Sequence, residues 1–282
     1  MNIITDPAEF QSMALNFRFS GLNTALVPTM GYLHAGHKSL LLAARNRAEK
    51  VMLSIFLNPT QFGPNEDLAS YPRSFQADCK MAESAGVDVI FAPKPEAMYN
   101  PNHATWVEVP GLAKTLCGKS RPVHFKGVCT VVLKLLALSI PNLAFFGEKD
   151  WQQLAIIKTM VRDLNFPVKI EGCPIVREAD GLALSSRNAY LSAQERQEAP
   201  HIFKGLKLAQ KLVKAGEHSP QKIKSQIKRY WEENISLGEV DYLDFVDPEK
   251  MNKVKSVEKD TLLAAAVKMG KARLIDNLLI RV

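Results

Sequence analysis

The sequence predicts an α/β protein with a parallel sheet in its larger first part and a smaller α+β domain after it. Through the first half of the 282-residue chain, short apolar runs alternate with segments of helical periodicity. This alternation is typical of a doubly wound, Rossmann-like parallel sheet with helices on both faces. From about residue 177 helices are followed by three apolar strands, an order typical of an α+β domain. We therefore predict domains over residues 1–176 and 177–282.

The first domain consists of repeated strand–helix units. A strand and a helix capped by Thr5 or Asp6 fall within residues 2–20. The run Ala25-Leu26-Val27 predicts a buried strand that ends at Pro28, because proline cannot donate to a sheet ladder. The later elements are, in order, a helix from Leu33 to about residue 50, strand 51–57, loop 58–64, helix 71–85, strand 87–92, an irregular region 93–127 with a possible strand at 105–109, helix 127–139, strand 143–146, a helix to about 164 and one or two strands over 168–176.

The second domain opens with a helix start that the sequence marks clearly. Ser192 is a good N-cap, and Glu195 three residues later completes a capping box. Two helical segments then precede apolar strands near 240–246, 261–267 and 273–281.

Composition excludes several classes of protein. The chain is 46% hydrophobic and 23% charged, as is usual for a folded domain in water. Its first 20 residues lack the basic start and apolar core of a signal peptide, and its longest apolar stretch, Val128–Ile140, is too short to cross a bilayer. The four cysteines show no pairing or zinc-binding pattern. We expect a cytoplasmic protein with reduced thiols and no membrane partner.

The net charge of +7 is concentrated in residues 201–230, where eight Lys or Arg side chains accompany a single acid, Glu217. A nucleic-acid-binding face is one explanation. However, the basic residues alternate with apolar ones at helical spacing, which favours the solvated face of amphipathic helices. We therefore expect no nucleic-acid partner.

Residues 24–37 contain the strongest candidate site. Gly31 allows a turn after the strand, and His34 and His37 then fall in the first turn of a helix, on one face. Backbone N–H groups and the helix dipole make such a position suitable for a phosphate. Gly36 lets a ligand approach the backbone closely.

Three further loops at predicted strand ends carry polar residues suited to ligands. In open α/β sheets, ligands bind beyond the carboxyl ends of the strands, so these loops should converge. A lysine or arginine can hold phosphate oxygens, and neutral amides can hold a hydroxyl or a carboxylate. Alone, each residue would most often be an ordinary surface residue. The residues are Asn58 and Gln61 after the second strand, Gly147, Lys149, Asp150 and Gln153 after residue 146, and Ser185, Ser186 and Arg187 after residue 176.

The pattern His34-x-Gly36-His37 resembles the HIGH motif of the nucleotidyltransferase superfamily. The longer string from Pro28 to His37 resembles the pantothenate synthetase family. Similar motifs follow in the same order as in that family, namely Asn58-Pro-Thr-Gln-Phe62, Tyr71-Pro-Arg73, His124-Phe-x-Gly-Val-x-Thr-Val-Val132, Phe146-Gly-Glu-Lys-Asp-x-Gln-Gln153 and Arg177-Glu-x-Asp-Gly-Leu-Ala-x-Ser-Ser-Arg-Asn188. Leu184 and Ala35 depart from the residues common in the family, Met and Glu, but neither change removes a reactive group.

The resemblance implies an ATP-dependent ligase that joins pantoate to β-alanine through an adenylate. It implies His37, His34 and Lys149 as catalytic residues, with His37 as general acid, Gln61 and Gln153 as pantoate ligands, and Gln61 as a β-alanine ligand. It also implies Mg²⁺, with unknown protein ligands, a homodimer and a second domain that acts as a lid. The implied ATP-binding residues are Met30, Gly31, Tyr32, Leu33, His34, Ala35, Gly36, His37, Gly147, Glu148, Lys149, Asp150, Val176, Leu184, Ser185, Ser186 and Arg187.

Two other classes remain as alternatives at this point. A nucleotidyltransferase that makes a dinucleotide cofactor would share the histidines but not both glutamines. A nucleic-acid-binding protein would account for residues 201–230 but not for the histidines.

Overall fold

The computed structural model describes residues 1–64 and 66–282. The chain forms two compact units. The first contains residues 1–111, 121–148 and 156–174, and the second contains residues 112–120, 149–155 and 175–282. The second unit thus includes two short segments from the first half of the sequence. The domains predicted for residues 1–176 and 177–282 stay a prediction, because contacts in the folded chain do not test which parts fold independently.

The first unit is built on a six-stranded parallel sheet, as the sequence predicted. The strand order is β1-β4-β3-β2-β5-β6, so β3 lies on one side of β2 and β5 on the other. The chain therefore changes direction across the sheet at β2, which is a topological switch point. The strands are β1 (Asn2–Ile4), β2 (Thr24–Thr29), β3 (Lys50–Ile55), β4 (Val89–Phe91), β5 (Leu143–Gly147) and β6 (Lys169–Cys173).

Helices connect these strands and bury apolar faces against them. The Asp6 carboxylate caps α1 by accepting the backbone N–H groups of Ala8 and Glu9, each at 2.9 Å. Phe10 of that helix stacks on Phe91 of β4. The α-helices up to residue 163 are α1 (Pro7–Phe19), α2 (Ala35–Arg45), α3 (Phe75–Ser84), α4 (Pro95–Met98), α5 (Pro110–Ala113), α6 (Cys117–Ser120), α7 (His124–Ser139) and α8 (Trp151–Asp163), and 3₁₀ turns cover Pro59–Gln61 and Glu148–Asp150.

The expectation that Pro28 ends its strand was wrong. Pro28 lies inside β2 and is in register with Ser54 of β3. Pairing of β2 with β5 covers only Ala25 and Leu26, so Pro28 lies beyond that second ladder. A proline is tolerated where a strand has a neighbour on one side only.

Other elements also differ from the prediction. Helix α2 ends at Arg45 rather than near residue 50, because the chain must turn before β3 begins at Lys50. Residues 105–109 do not form the possible strand. Instead, the Val107 N–H donates to the Thr130 hydroxyl of α7 at 3.1 Å, so this backbone pairs with a side chain rather than with a strand.

The second unit has its helices before an antiparallel sheet, as predicted. Ser192 and Glu195 form the capping box at the start of α9. A Cβ at Gly205 would lie 2.2 Å from Trp231 Nε1, so the glycine allows α10 and α11 to pack closely. The elements are α9 (Ala193–Glu198), α10 (Pro200–Lys214), α11 (Pro220–Asn234), β7 (Gly238–Val246), β8 (Thr261–Met269) and β9 (Ala272–Ile280), with β8 between β7 and β9.

All four cysteines carry free thiols. In the described part of the chain, no helix is both long enough and apolar enough to span a membrane.

Candidate functional site

The turn after β2 requires a glycine at residue 31. Gly31 has φ +85°, and a Cβ there would lie 3.1 Å from both Asp78 Oδ2 and Ile55 Cγ2. Tyr32 also has a positive φ, of 53°. The Asp78 carboxylate of α3 stabilises this turn by accepting the N–H groups of Tyr32 at 2.9 Å and Leu33 at 2.7 Å. The backbone before the two histidines is therefore fixed by a buried carboxylate.

His34 and His37 lie at the start of a helix, as the sequence predicted, but α2 begins at Ala35 rather than at Leu33, so His34 is its N-cap and His37 its N3 residue. His34 Nδ1 accepts the Gly36 N–H at 3.2 Å, and His37 Nδ1 accepts the His34 N–H at 3.3 Å. The two rings therefore form a capping box in which imidazoles replace the usual hydroxyl and carboxylate. A nitrogen that accepts a hydrogen bond carries no proton, so these contacts define the tautomer of the neutral form of each ring, with the proton on Nε2.

This arrangement changes one detail of the sequence-based interpretation. We expected free backbone N–H groups at this helix start, but the Gly36 N–H already donates to His34. The ring centroids of His34 and His37 lie 4.1 Å apart. The two imidazoles therefore lie side by side at the positive end of the helix dipole.

The structure brings Gln61 next to the end of β2. The Gln61 side chain is buried, and its Nε2 lies 3.0 Å from Met30 Sδ. Its Oε1 accepts from Asn58 Nδ2 at 3.1 Å. Thioether sulfur is a weak acceptor, and an amide nitrogen carries two hydrogens, so Gln61 retains the capacity to donate to a ligand.

The turn that carries Gln61 packs against α7. A Cβ at Gly127 would lie 2.4 Å from the Thr60 carbonyl oxygen, so only glycine permits this contact. The Gln61 carbonyl oxygen lies 2.9 Å from His124 Nδ1 and accepts from Arg121 Nη2 at 3.2 Å. The close contact between Thr60 and Gly127 and the hydrogen bonds to the Gln61 carbonyl oxygen therefore fix the backbone that carries the Gln61 side chain.

In the second unit, Lys149 and Ser185 line one small cleft together with Asn188 and Asp276. The Ser185 hydroxyl caps the 3₁₀ turn Ser186–Tyr190 by accepting the Arg187 N–H at 3.3 Å. Val176 accepts the Leu184 N–H at 3.0 Å, which closes a short hairpin before this turn. The structure thus places the lysine that follows β5 beside the predicted serine segment.

Two neighbouring glutamines on α8 have different environments. Gln152 is buried, its Nε2 donates to the carbonyls of Leu112 and Thr115 at 2.8 Å, and its Oε1 accepts the Cys117 N–H at 3.0 Å. Gln153 is half-buried, and its amide makes no hydrogen bond to another of the described residues. Gln152 is therefore a structural residue, whereas Gln153 is available to a ligand.

The predicted site residues are thus divided between the two units. Met30 to His37, Gln61, Gly147 and Glu148 belong to the first unit. Lys149, Asp150, Gln153, Val176, Leu184 and residues 185–187 belong to the second. Within the described residues, no group of three or more His, Cys, Asp or Glu side chains could hold a metal ion.

Sequence reasoning missed the residues that support the site. Asp78 lies in the first turn of α3, and its role depends on a turn more than 40 positions away in the chain. Gly127 offered a detectable signal, since a glycine inside a helix is costly unless something approaches it closely.

We expect Asp78→Ala to destabilise the first unit. The substitution leaves the N–H groups of Tyr32 and Leu33 without their acceptor, which costs about 1–3 kcal/mol for a buried donor. Urea unfolding should show the lower free energy of unfolding. Asp163→Ala, which changes an exposed aspartate, is the control. An unchanged unfolding midpoint for Asp78→Ala would contradict this role.

The fold and the helix start together define the class of protein. A His-x-Gly-His helix start that follows the switch-point strand of a parallel sheet is the arrangement of a Rossmann-like protein of the HIGH-motif nucleotidyltransferase type. A family model described as pantoate-beta-alanine ligase matches residues 2–279. The chain therefore belongs to the pantoate-β-alanine ligase family and is an enzyme of the ligase class.

Individual relatives agree with this assignment over the full length of the chain. The pantothenate synthetase of Nitratidesulfovibrio vulgaris (strain DP4) is 57% identical over 280 residues, which cover 99% of each chain. That of Geobacter sulfurreducens is 50% identical over 277 residues, 98% of each chain. The crystal structure of pantothenate synthetase from Thermus thermophilus matches with a TM-score of 0.93 at 40% identity and covers all of both chains.

One similar structure was determined with ligands. Pantoate-beta-alanine ligase from Francisella tularensis, complexed with beta-gamma ATP and beta-alanine, matches with a TM-score of 0.80 at 34% identity. The match covers 99% of this chain and 97% of that one.

Proposed function

We propose that this enzyme condenses pantoate with β-alanine at the expense of ATP, through a pantoyl-adenylate, with release of pyrophosphate and AMP. The observation that carries the proposal is the paired imidazole cap of α2, where His34 and His37 both accept backbone N–H groups through Nδ1. The family assignment and the ATP and β-alanine bound to the Francisella tularensis relative support it.

In the first step, a pantoate carboxylate oxygen attacks the α-phosphorus of ATP. The bond from that phosphorus to the bridging oxygen of pyrophosphate breaks, and negative charge builds on the phosphate oxygens. Donors that are already oriented stabilise such charge without reorganising. The Nε2–H groups of His34 and His37 supply two of these donors, and Lys149 and Arg187 supply positive charge. We propose His37 as the general acid for the departing pyrophosphate, as the family resemblance implies. A neutral imidazole does not readily give up its only ring proton, so in this role the ring is protonated on both nitrogens and its Nδ1 no longer accepts the His34 N–H.

In the second step, the β-alanine amine attacks the activated carbonyl carbon. An amide bond forms, AMP leaves with the former carboxylate oxygen, and the amine loses a proton. This step depends mainly on the positions of the two reactants. No covalent intermediate with the protein is needed in either step.

Mg²⁺ fits this scheme as part of the MgATP substrate. Magnesium usually keeps several waters and binds through substrate phosphates with only one or two carboxylates. A cluster of three protein ligands, which the described residues do not provide, is therefore not required. Magnesium bound to the phosphates neutralises part of their charge.

We propose that Gln61 and Gln153 hold pantoate, and that Gln61 also contacts β-alanine. Both amides are neutral, so they can bind a hydroxyl or a carboxylate without cancelling the charge that the first step uses. Gln61 is oriented by Asn58 and Met30. The remaining residues of the predicted ATP site, 30–37, 147–150, 176 and 184–187, would bind the nucleotide.

We expect Gln153→Ala to raise the pantoate KM by about tenfold or more, with less effect on the KM for ATP. The reason is that an unpaired polar group in a binding site costs about 1–3 kcal/mol. The neighbouring variant Gln152→Ala should instead lower the unfolding temperature, because it leaves the Cys117 N–H without its acceptor. An equal loss of ATP affinity in Gln153→Ala would remove this residue from the pantoate site.

The function is tested by the nucleotide that the purified enzyme forms. We expect AMP and pyrophosphate from ATP only when pantoate is present, and pantothenate only when β-alanine is added. Formation of ADP and phosphate, or AMP release without pantoate, would contradict the proposal.

We also propose a cytoplasmic homodimer, which the family resemblance implies. The apolar stretch Val128–Ile140 adds little support, because most of it belongs to α7 and is buried within the first unit. Light scattering of the full chain at micromolar concentration should give twice the mass of 31.4 kDa, with or without reducing agent. A monomer would refute the dimer, and a dimer that requires oxidation would refute the cytoplasmic assignment.

A further inference from the structure

A hydrogen-bonded chain in the second unit connects β9 to the backbone of Lys149. Asn277 Nδ2 donates to the Lys149 carbonyl oxygen at 3.0 Å. Asn277 is buried, with 5% of its surface exposed, and its position in β9 is fixed by pairing with Ala264 of β8. The bond therefore ties a turn after β5 to a rigid strand 128 positions further along the sequence.

The neighbouring residue, Asp276, holds the same strand to the segment that carries the serines. Its carboxylate accepts two hydrogen bonds from Arg177, at 2.6 and 2.8 Å, and a third from the Asn277 N–H at 2.7 Å. The Arg177 guanidinium also donates to the Gly181 carbonyl and lies over the Phe203 ring, 3.5 Å from its centroid. A bidentate pair of this kind fixes both distance and angle.

Arg177 begins the hairpin that leads to Ser185. It bridges to Ala183 across that hairpin, and Lys149, Ser185 and Asp276 line the same cleft. Contacts with β9 thus hold both Lys149 and the segment that carries Ser185 in position. The proposed adenylation step needs both in fixed positions, because a displacement of about 1 Å can cost about 10²-fold in rate.

We propose that Asn277, held in place by Asp276, is a positioning residue for Lys149 in the adenylation step. This inference rests on the proposed function. Asn277 does not contact the reacting atoms in this account. It fixes the backbone from which the Lys149 side chain extends, so the loss of this hydrogen bond should act on adenylation through Lys149.

The test uses Asn277→Leu, which keeps the branched shape and the number of non-hydrogen atoms, and the smaller, polar Asn277→Ser, each in the full-length enzyme. Both substitutions remove the amide that donates to the Lys149 carbonyl oxygen. If Asn277→Leu does not fold, the test rests on the activity of Asn277→Ser. We expect kcat for AMP formation to fall by about 10- to 100-fold. The rate with synthetic pantoyl-adenylate and β-alanine should stay near that of the parent enzyme. The matched control is Asn234→Leu, which breaks an equivalent bond, from Asn234 Nδ2 to the Tyr230 carbonyl at 2.7 Å, in α11.

A double variant separates positioning from a general structural effect. If Asn277 acts through Lys149, then Lys149→Met with Asn277→Leu should be no slower than Lys149→Met alone. The inference would be overturned if the rate losses of Lys149→Met and Asn277→Leu multiplied in the double variant. It would also be overturned if an Asn277 variant lost equal rate in both half-reactions, or if a folded Asn277 variant kept full activity. Failure of the proposed function is a separate result, since the parent enzyme would then form no AMP, and the positioning role would fall with it.

Discussion

Replacement of His37 by alanine should slow pantoyl-adenylate formation by roughly 10²–10³, the scale expected when one oriented transition-state donor is lost. His37 Nδ1 is already used by the His34 N–H, so the ring is held with its proton on Nε2. The same substitution removes half of the capping box, which should cost about 1 kcal/mol of stability. Pyrophosphate release from ATP and pantoate, measured in a single turnover, reports the chemical effect.

His37→Glu separates the two effects. Glutamate is a usual N3 residue of a capping box, so this variant should unfold at a temperature close to that of the parent enzyme. Its negative charge opposes the phosphate charge that builds in the first step, so its activity should be no higher than that of His37→Ala. Synthetic pantoyl-adenylate should restore most of the pantothenate rate in both variants. A fully active His37→Ala would show that the α2 cap is structural only.

Replacement of Lys149 by methionine should produce a loss of similar size, again roughly 10²–10³ in adenylate formation. Methionine keeps most of the side-chain length but removes the charge that would balance the α-phosphate oxygens. The Lys149 backbone is held by Asn277, so the turn should keep its position in the variant. Single-turnover pyrophosphate release is again the measurement.

An exposed lysine provides the control for Lys149. Lys158 of α8 lies on the surface, and Lys158→Met makes the same chemical change away from the cleft. We expect parent-like rates for Lys158→Met. A Lys149→Met variant with unchanged single-turnover rate, or one impaired only with β-alanine, would remove Lys149 from the first step.

Local signals in the sequence were sufficient for most of the fold. Alternating apolar runs predicted the parallel sheet. A cap at Thr5 or Asp6 and a cap at Ser192 predicted two helix starts, and the structure shows Asp6 and Ser192 as these caps. The errors arose where a neighbouring element decides the outcome. Pro28 stays in β2 because the ladder to β5 has already ended, and Val107 pairs with a threonine of α7 instead of with a strand. Neither neighbour is visible in the local pattern.

In the candidate site, too, local signals predicted some features, and contacts between distant residues decided the others. Residue types and strand–helix junctions predicted that His34 and His37 lie at a helix start, which the structure confirms. Their tautomer could not be predicted, because it depends on which backbone N–H each Nδ1 meets. The supports provided by Asp78 and Asn277 depend on contacts between residues far apart in the chain. Among these supporting residues, Gly127 alone gave a signal in the sequence, because a glycine inside a helix often marks the close approach of another backbone.

If pantoate is activated as an adenylate, one of its carboxylate oxygens must leave with AMP, and an isotope label follows that oxygen. Pantoate labelled with ¹⁸O in the carboxylate should be converted with unlabelled ATP and β-alanine, and the AMP should be examined by mass spectrometry. The account predicts one ¹⁸O atom in the AMP phosphate and one in the new amide carbonyl of pantothenate. Unlabelled AMP, or ¹⁸O found in inorganic phosphate alongside ADP, would contradict it.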